Sequence, residues 1–269
     1  MKLKNKTIIY ILIAIIVLLL LIFLLFDKKN TDVQQHLQHI YNRLQKIKKQ
    51  YPKIINPNKK VILDGEIKYI EDVFVPEYHK MISEQFEDLS MYNSKNLGVR
   101  KASGMNFIDM HKTDNYTGCL ETYYNSEFLE YLSSLIKKPL QRTNSSDINS
   151  CSLLVYSQEG DHIYWHIDNS IYYGDRYVVL YTAVNENATK DGVSKNEFYY
   201  KINGKEEKLQ LKPNSIIVFK GSEIFHKSTE IGKNEKRVLL SMTFCDICQE
   251  KKNIINYIHD KIKNAVTYG

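Results

Sequence analysis

Several features that would mark a function class are scarce or missing. The 269 residues include only five prolines, so there is no proline-rich linker. No glycine-rich phosphate loop and no Gly-x-Ser-x-Gly nucleophile motif occurs, which leaves P-loop nucleotide chemistry and serine-hydrolase chemistry without a carrier. Of the four cysteines, Cys245-Asp-Ile-Cys248 form a pair while Cys119 and Cys151 stand alone. A structural zinc site needs four ligands, usually from two paired motifs, and the second pair is absent. Excess charge of one sign is also lacking. Three of the 37 Lys and Arg residues fall in 1–26, leaving 34 to face 31 acidic residues. That balance gives no basic surface for a nucleic acid. No internal repeat is present.

What the chain does have begins at its N-terminus. Thr7 to Phe26 contains no charged residue and is almost wholly Ile, Leu, Val and Phe. Twenty helical residues rise about 30 Å, the thickness of a bilayer's hydrocarbon core. We expect a transmembrane signal-anchor there. A cleaved signal peptide is the alternative, although no small-x-small pattern precedes Asp27. Lys2, Lys4 and Lys6 favour a cytoplasmic N-terminus, with Lys28 and Lys29 at the other flank. The rest of a single-pass membrane protein would then face the endoplasmic reticulum lumen or the exterior. Three glycosylation triplets, at Asn115, Asn144 and Asn187, agree with that side. There the cysteines would form one or two disulfides; in a reducing compartment they would stay thiols.

Val33, Leu37, Ile40, Leu44 and Ile47 repeat with helical spacing, giving an amphipathic helix that packs on its own domain, lies on the membrane or pairs with a second copy. Pro52 and Pro57 end it. A strand-like run covers Val61–Ile67, and helices are predicted over Pro76–Leu89 and Ser126–Ile136. From Ser152 the texture changes to short apolar runs between turn residues: Ser152–Tyr156, Ile163–Ile167, Tyr177–Val184, Glu197–Ile202, Glu207–Leu211, Ser215–Phe219 and Arg237–Phe244. With 20 tyrosines and ten phenylalanines, this spacing predicts a sandwich or barrel of short strands. The tail over Glu250–Asn264 reads as a polar helix.

The chemistry centres on Trp165-His166-Ile167-Asp168. Residues i and i+2 of a strand share a face, so His166 and Asp168 present an imidazole and a carboxylate side by side. A third ligand should arrive from a distant strand. His226 is the best candidate, because it follows the turn and apolar strand Pro213–Phe219. Two histidines and one carboxylate form the facial triad of non-haem Fe(II) oxygenases, which leaves coordination positions open.

Residues 156–185, YSQEGDHIYWHIDNSIYYGDRYVVLYTAVN, resemble the prolyl 4-hydroxylase type of Fe(II)/2-oxoglutarate-dependent dioxygenase. The shared places are Tyr156, Gly160, His166, Asp168, Arg176 and Asn185. Pro213–Phe219, His226 and Arg237–Phe244 are similar to that family's closing strands, and Tyr69–Tyr78 to its opening strand and helix. The resemblance spans about 61–247. It implies iron held by His166, Asp168 and His226, and 2-oxoglutarate bound through a cation near Arg237. A distal carboxylate suits a buried arginine fork. Lys236 is the rival, but alternation puts Arg237 on the face of Leu239 and Ser241. Tyr156 is implied beside the cosubstrate. Ser241 is a candidate partner for the distal carboxylate, although the family's hydroxyl stands two residues after the arginine, where this chain has Leu239. Trp165 and Tyr164 either line the mouth or pack beside the sheet.

The expected architecture is α+β, a double-stranded β-helix (jelly-roll) core with flanking helices behind an N-terminal transmembrane helix. Its divisions are a basic segment at 1–6, the anchor at 7–26, a helical stalk or linker at 27–60, the dioxygenase domain at 61–247 and a helical tail at 248–269. The resemblance implies hydroxylation of a side chain, proline first, in a protein or peptide, with release of succinate and CO2 and with L-ascorbate keeping the iron reduced. Lysyl hydroxylation by the same chemistry is the first rival. A non-catalytic, membrane-anchored jelly-roll binding module is the second.

Overall fold

A computed structural model describes residues 37–251 except 97, 114, 145 and 146, together with residues 10, 13 and 16–18. The expected anchor at 7–26 and the tail helix therefore lie almost wholly outside the described residues. Among the described residues no helix is long and apolar enough to cross a membrane.

The first helix, α1, runs over 37–50 and stops before Pro52. Its apolar seam faces the domain: Ile40, Leu44 and Ile47 are buried, and Ile40 and Ile47 belong to the main core. Arg43, on the same helix, reaches Glu121 at 2.5 Å. The core thus takes in α1, ahead of residue 61. The helix expected over Pro76–Leu89 is α2, Pro76–Ser83, finished by a 3-10 turn at Glu84–Phe86. Two short helices, α3 (Phe107–His111) and α4 (Cys119–Tyr124), precede α5 at Ser126–Ile136. Asn125 caps α5, its side chain accepting from the backbone N–H of Glu127 and Phe128.

Among the described residues, thirteen strands form one curled antiparallel sheet. They are β1 (Lys60–Asp64), β2 (Lys68–Glu71), β3 (Lys95–Asn96), β4 (Arg100–Met105), β5 (Gln141–Arg142), β6 (Cys151–Tyr156), β7 (His162–His166), β8 (Arg176–Glu186), β9 (Phe198–Ile202), β10 (Lys205–Leu209), β11 (Ser215–Lys220), β12 (Phe225–Ser228) and β13 (Lys236–Cys245). The order is β1-β2-β11-β8-β13-β6-β4-β7-β12-β9-β10. β4 turns the corner: Ser103–Met105 pair with β6, and Arg100–Lys101 pair with β7. Gly104 makes the turn possible, since a Cβ there would stand 2.1 Å from the carbonyl oxygen of Leu153. The result is a jelly-roll half-barrel, one wall β2-β11-β8-β13-β6 and the other β7-β12-β9-β10.

The first wall is buried on both faces, which explains its near-continuous apolar strands. On β13, Val238, Leu240, Met242 and Phe244 join the helices in the main core. The alternating residues Arg237, Leu239, Ser241 and Thr243 line a cavity between the walls. β8 divides likewise, with Tyr177, Val179 and Tyr181 toward the helices and Arg176, Val178 and Leu180 toward the cavity. Cys245, the last residue of β13, is disulfide-bonded to Cys248, while Cys119 and Cys151 are buried free thiols. Beyond that turn the chain straps across the 171–175 loop, where Tyr173 N–H donates to Gln249 O at 2.9 Å and Lys251 N–H to Ile171 O at 2.7 Å.

Candidate active site

Three ligand-capable side chains from the second wall meet at the cavity mouth. His166 ends β7 and pairs directly across the ladder with His226 on β12. The register shifts by one residue between this pair and Ser228–Ile163. Such a bulge re-aims side chains and is common beside functional sites. The His166 and His226 rings are 4.1 Å apart between centroids. Each Nε2 lies 3.8 Å from a different carboxylate oxygen of Asp168, and one ligand atom from each residue lies within 4.8 Å of the others. Two donors bound to one ion at about 2.1 Å lie between about 3 and 4.2 Å apart, depending on the angle, so the 3.8 Å pairs admit an ion.

The backbone presets both imidazoles. His166 Nδ1 is 2.8 Å from the Tyr164 carbonyl oxygen, and His226 Nδ1 is 2.9 Å from that of Ile224. A carbonyl only accepts, so each Nδ1 carries the proton and each Nε2 keeps its lone pair toward Asp168. Asp168 is fixed from below, its N–H donating to Gly221 O at 2.9 Å. Gly221 is required for that approach: a Cβ would sit 2.8 Å from Asp168 Cβ and 2.9 Å from Val178 Cγ2. Sequence reasoning passed over this glycine, although Lys220-Gly-Ser222 ends an apolar strand shortly before His226.

The cavity behind the triad has a volume of about 320 Å³, within the usual range for small-molecule sites. Arg237 enters it from β13. It is 1% exposed and has no carboxylate within 4.0 Å among the described residues. Its Nη1 donates to Asn196 Oδ1 and Ser228 Oγ, while its Nε and Nη2 are buried without a partner. Tyr156, its direct neighbour on β6, holds its ring 5.7 Å from the guanidinium carbon. Burial lowers the Arg237 pKa from 12.5 to about 10, the nearby tyrosines working in the other direction. The group is therefore still a cation at neutral pH.

The remaining candidates separate clearly. Lys236 lies on the opposite face of β13, paired with Glu186 at 3.2 Å and donating to the Phe86 carbonyl at 3.3 Å. Ser241 lines the cavity but stands four residues beyond Arg237, about 13 Å along a strand. It is not brought to the guanidinium. The hydroxyl there belongs to Ser228, on a strand too short and polar to be read from the sequence, with Asn196 as its neighbour. Trp165 does not line the cavity. It stacks on Phe225 with centroids 5.0 Å apart, and Lys201 and Lys227 each approach its ring to 4.7 Å. Tyr164 is exposed and lies 4.2 Å from the His162 ring.

No protein-family model matches the sequence, and no curated protein matches it. Solved structures do. A 2OG-Fe(II) oxygenase-family oxidoreductase from Burkholderia pseudomallei superimposes with a TM-score of 0.50 at 8% identity, over 80% of this chain and 94% of that one. This chain has the fold of the 2-oxoglutarate–Fe(II) oxygenases. Two other similar structures are prolyl hydroxylases. One, from Pseudomonas putida, has a TM-score of 0.46 at 11% identity, covering 69% of this chain and 94% of that one. The other, from Trichoplax adhaerens, was solved with a hypoxia inducible factor peptide fragment and has a TM-score of 0.48 at 14% identity, covering 79% and 91%. At these identities the likeness concerns the oxygenase fold and leaves the reaction to the site.

Proposed function

We propose that this chain is an Fe(II)- and 2-oxoglutarate-dependent dioxygenase that hydroxylates an amino-acid side chain in a protein or peptide. One observation carries the reading: a His-Asp-His cluster with both Nε2 atoms preset toward the carboxylate opens onto the same cavity as a buried, anion-free arginine. The donor set of two imidazoles and one carboxylate is the set that holds ferrous iron with positions left open. The orphaned N–H groups of Arg237 fit the distal carboxylate of 2-oxoglutarate.

Bound iron would supply oxygen activation coupled to decarboxylation of 2-oxoglutarate to succinate and CO2, with one oxygen atom passing to the substrate C–H bond and the other to succinate. His166, Asp168 and His226 would hold the metal on one side. Arg237, Asn196 and Ser228 would fix the cosubstrate, with the Tyr156 ring beside it. Leu154, Val178, Leu180 and Leu239 keep the intervening cavity apolar and exclude water from the reacting centre. The motifs shared with prolyl 4-hydroxylases put proline first among targets, with lysine next and ascorbate as the reductant; the uncharged apolar run at 7–26 is the basis for a membrane anchor.

The test uses the full chain in detergent with Fe(II), 2-oxoglutarate and peptides centred on proline or lysine. Succinate release with a 16 Da gain on peptide is the expected result. His166→Ala should remove iron binding and turnover together. Wild-type protein that binds no more iron than His166→Ala and releases no succinate would leave only a jelly-roll binding module.

A further inference from the structure

The Cys-Asp-Ile-Cys motif takes no part in the site described above. Cys245 and Cys248 are the joined pair among the four cysteines, and they are also the pair that a reductant can reach. Cys119 and Cys151 are fully buried. Burial pushes both thiols well above the ordinary range, which leaves them unreactive. Cys245 is buried too, but Cys248 is half-buried between the exposed Ile247 and Gln249. Attack at Cys248 therefore needs no unfolding. Exposed disulfides are the labile ones, in contrast to those sealed in a core.

The bond closes the first turn of the strap. Residues 246–251 run antiparallel to 171–175, with Tyr172 opposite Glu250. Besides the bonds at Tyr173 and Lys251, Asp246 N–H donates to the Asp175 carbonyl at 3.3 Å and Gly174 N–H to that of Ile247 at 3.2 Å. Asp175 N–H donates to Asp246 Oδ1 at 2.8 Å. Lys138 clamps the two carboxylates, 2.8 Å from Asp175 and 2.8 Å from Asp246. Three of these five hydrogen bonds use Asp246 or Ile247, the two residues enclosed by the disulfide ring. The strapped segment is the connection between Asp168 and β8, and Asn169 at its start lines the cavity. Its middle is pinned separately, by the buried Tyr172, whose hydroxyl donates to Asp147 Oδ2 at 3.0 Å. Order over 173–175 thus depends on the strap, and the strap depends on its closed first turn.

We propose that Cys245 and Cys248 form a redox switch. As a disulfide the pair holds the 169–175 loop in order beside the His-Asp-His cluster; as a dithiol it lets that loop loosen. The device belongs to the fold and does not depend on which reaction the site performs. A thiolate of a dithiol reductant attacks Cys248 Sγ and forms a mixed disulfide, and Cys245 leaves as a thiolate that takes up a proton. The second thiol of the reductant then breaks the mixed disulfide and releases the Cys248 thiol. The protein gains two electrons and two protons, and the reductant is oxidised to its own disulfide.

The full chain in detergent is compared before and after treatment with dithiothreitol, which is then removed under argon. Thiols are mapped with iodoacetamide, and amide hydrogen exchange is read by mass spectrometry. Reduction should expose Cys245 and Cys248 alone, with Cys119 and Cys151 reacting only in denaturant. Exchange over 171–175 and 246–251 should quicken by about tenfold or more, as expected for opening a short ring, while α5 and β11 stay within about twofold. Cys248→Ser should exchange like the reduced chain and ignore the reductant. Because the loop leads directly from Asp168, the Kd for Mn(II) should rise by about threefold or more on reduction. A disulfide that resists millimolar dithiothreitol in the folded chain overturns the proposal. So does loop exchange that reduction leaves unchanged, a rise spread equally over α5 and β11, or an unchanged Mn(II) Kd. A chain that binds no Mn(II) in either state would sink the oxygenase reading, and the exchange comparison alone would then decide the switch.

Discussion

Arg237 should weaken the empty fold and strengthen the loaded one. Its buried guanidinium lacks an anion, and the fall in pKa from 12.5 to about 10 corresponds to about 3 kcal/mol at about 1.36 kcal/mol per pH unit. That is the cost of keeping the cation charged at neutral pH. Replacing it with methionine, of similar length, should recover about 1–3 kcal/mol. Asn196 and Ser228 lose a donor but already bond each other at 3.0 Å, so they are not orphaned. For a domain of this size that gain raises the Tm by about 2–12 °C. With the cosubstrate the order reverses. At a hundredfold excess over Kd, 2-oxoglutarate with Zn(II) should stabilise the native chain by about 2.7 kcal/mol and leave Arg237→Met nearly unmoved. Differential scanning fluorimetry with and without 2-oxoglutarate makes both comparisons. A variant less stable by more than about 2 kcal/mol, or one protected as well as the native chain, would refute the argument.

Three further outcomes follow from other sites. Gly221→Ala forces a Cβ against Asp168 and Val178, so it should weaken Fe(II) affinity by at least about tenfold, in keeping with the effect of disturbing a ligand's support, as isothermal titration would show. Arg43→Met strands Glu121, which is wholly buried and whose pKa burial already raises despite Arg43. It should cost about 3–5 kcal/mol in urea denaturation, and adding Glu121→Gln should return part of that. His79, half-buried against Tyr181 with its Nδ1 2.6 Å from the phenol oxygen, has its pKa lowered by burial from 6.5 to about 4. The unfolded chain takes up that proton first as pH falls. Stability should therefore drop by about 3 kcal/mol between pH 7 and pH 4, a loss that His79→Gln would not show.

The most legible parts of the sequence were those where periodicity and chemistry coincide. Ser126–Ile136 is a helix with those bounds because Asn125 caps it and its apolar residues fall at helical spacing. The strands β6, β8, β11 and β13 were visible as short apolar runs, since a wall buried on both faces writes itself as Val, Leu and Tyr. Period-two alternation from Arg237 correctly separated Leu239 and Ser241 from Lys236. What alternation could not supply was distance along the strand. Ser241 shares the face of Arg237 yet lies too far away, while the hydroxyl that meets it is on β12, four residues whose polar character hides them. Asn196 and Gly221 were equally hidden, because their importance comes from contacts made across the fold. Expectations for 7–26 and the tail concern residues almost wholly beyond those described.

The two-sidedness of β13 limits how this protein can vary. Odd-numbered residues from Arg237 to Thr243 furnish the chamber, and the even-numbered ones from Val238 to Phe244 glue the helices to the wall. A single inserted or deleted residue within that stretch would exchange the two sets, pushing a guanidinium into oil and a valine into the chamber. Length changes should therefore be tolerated only outside the strand, in the loop over 229–235, or in steps of two.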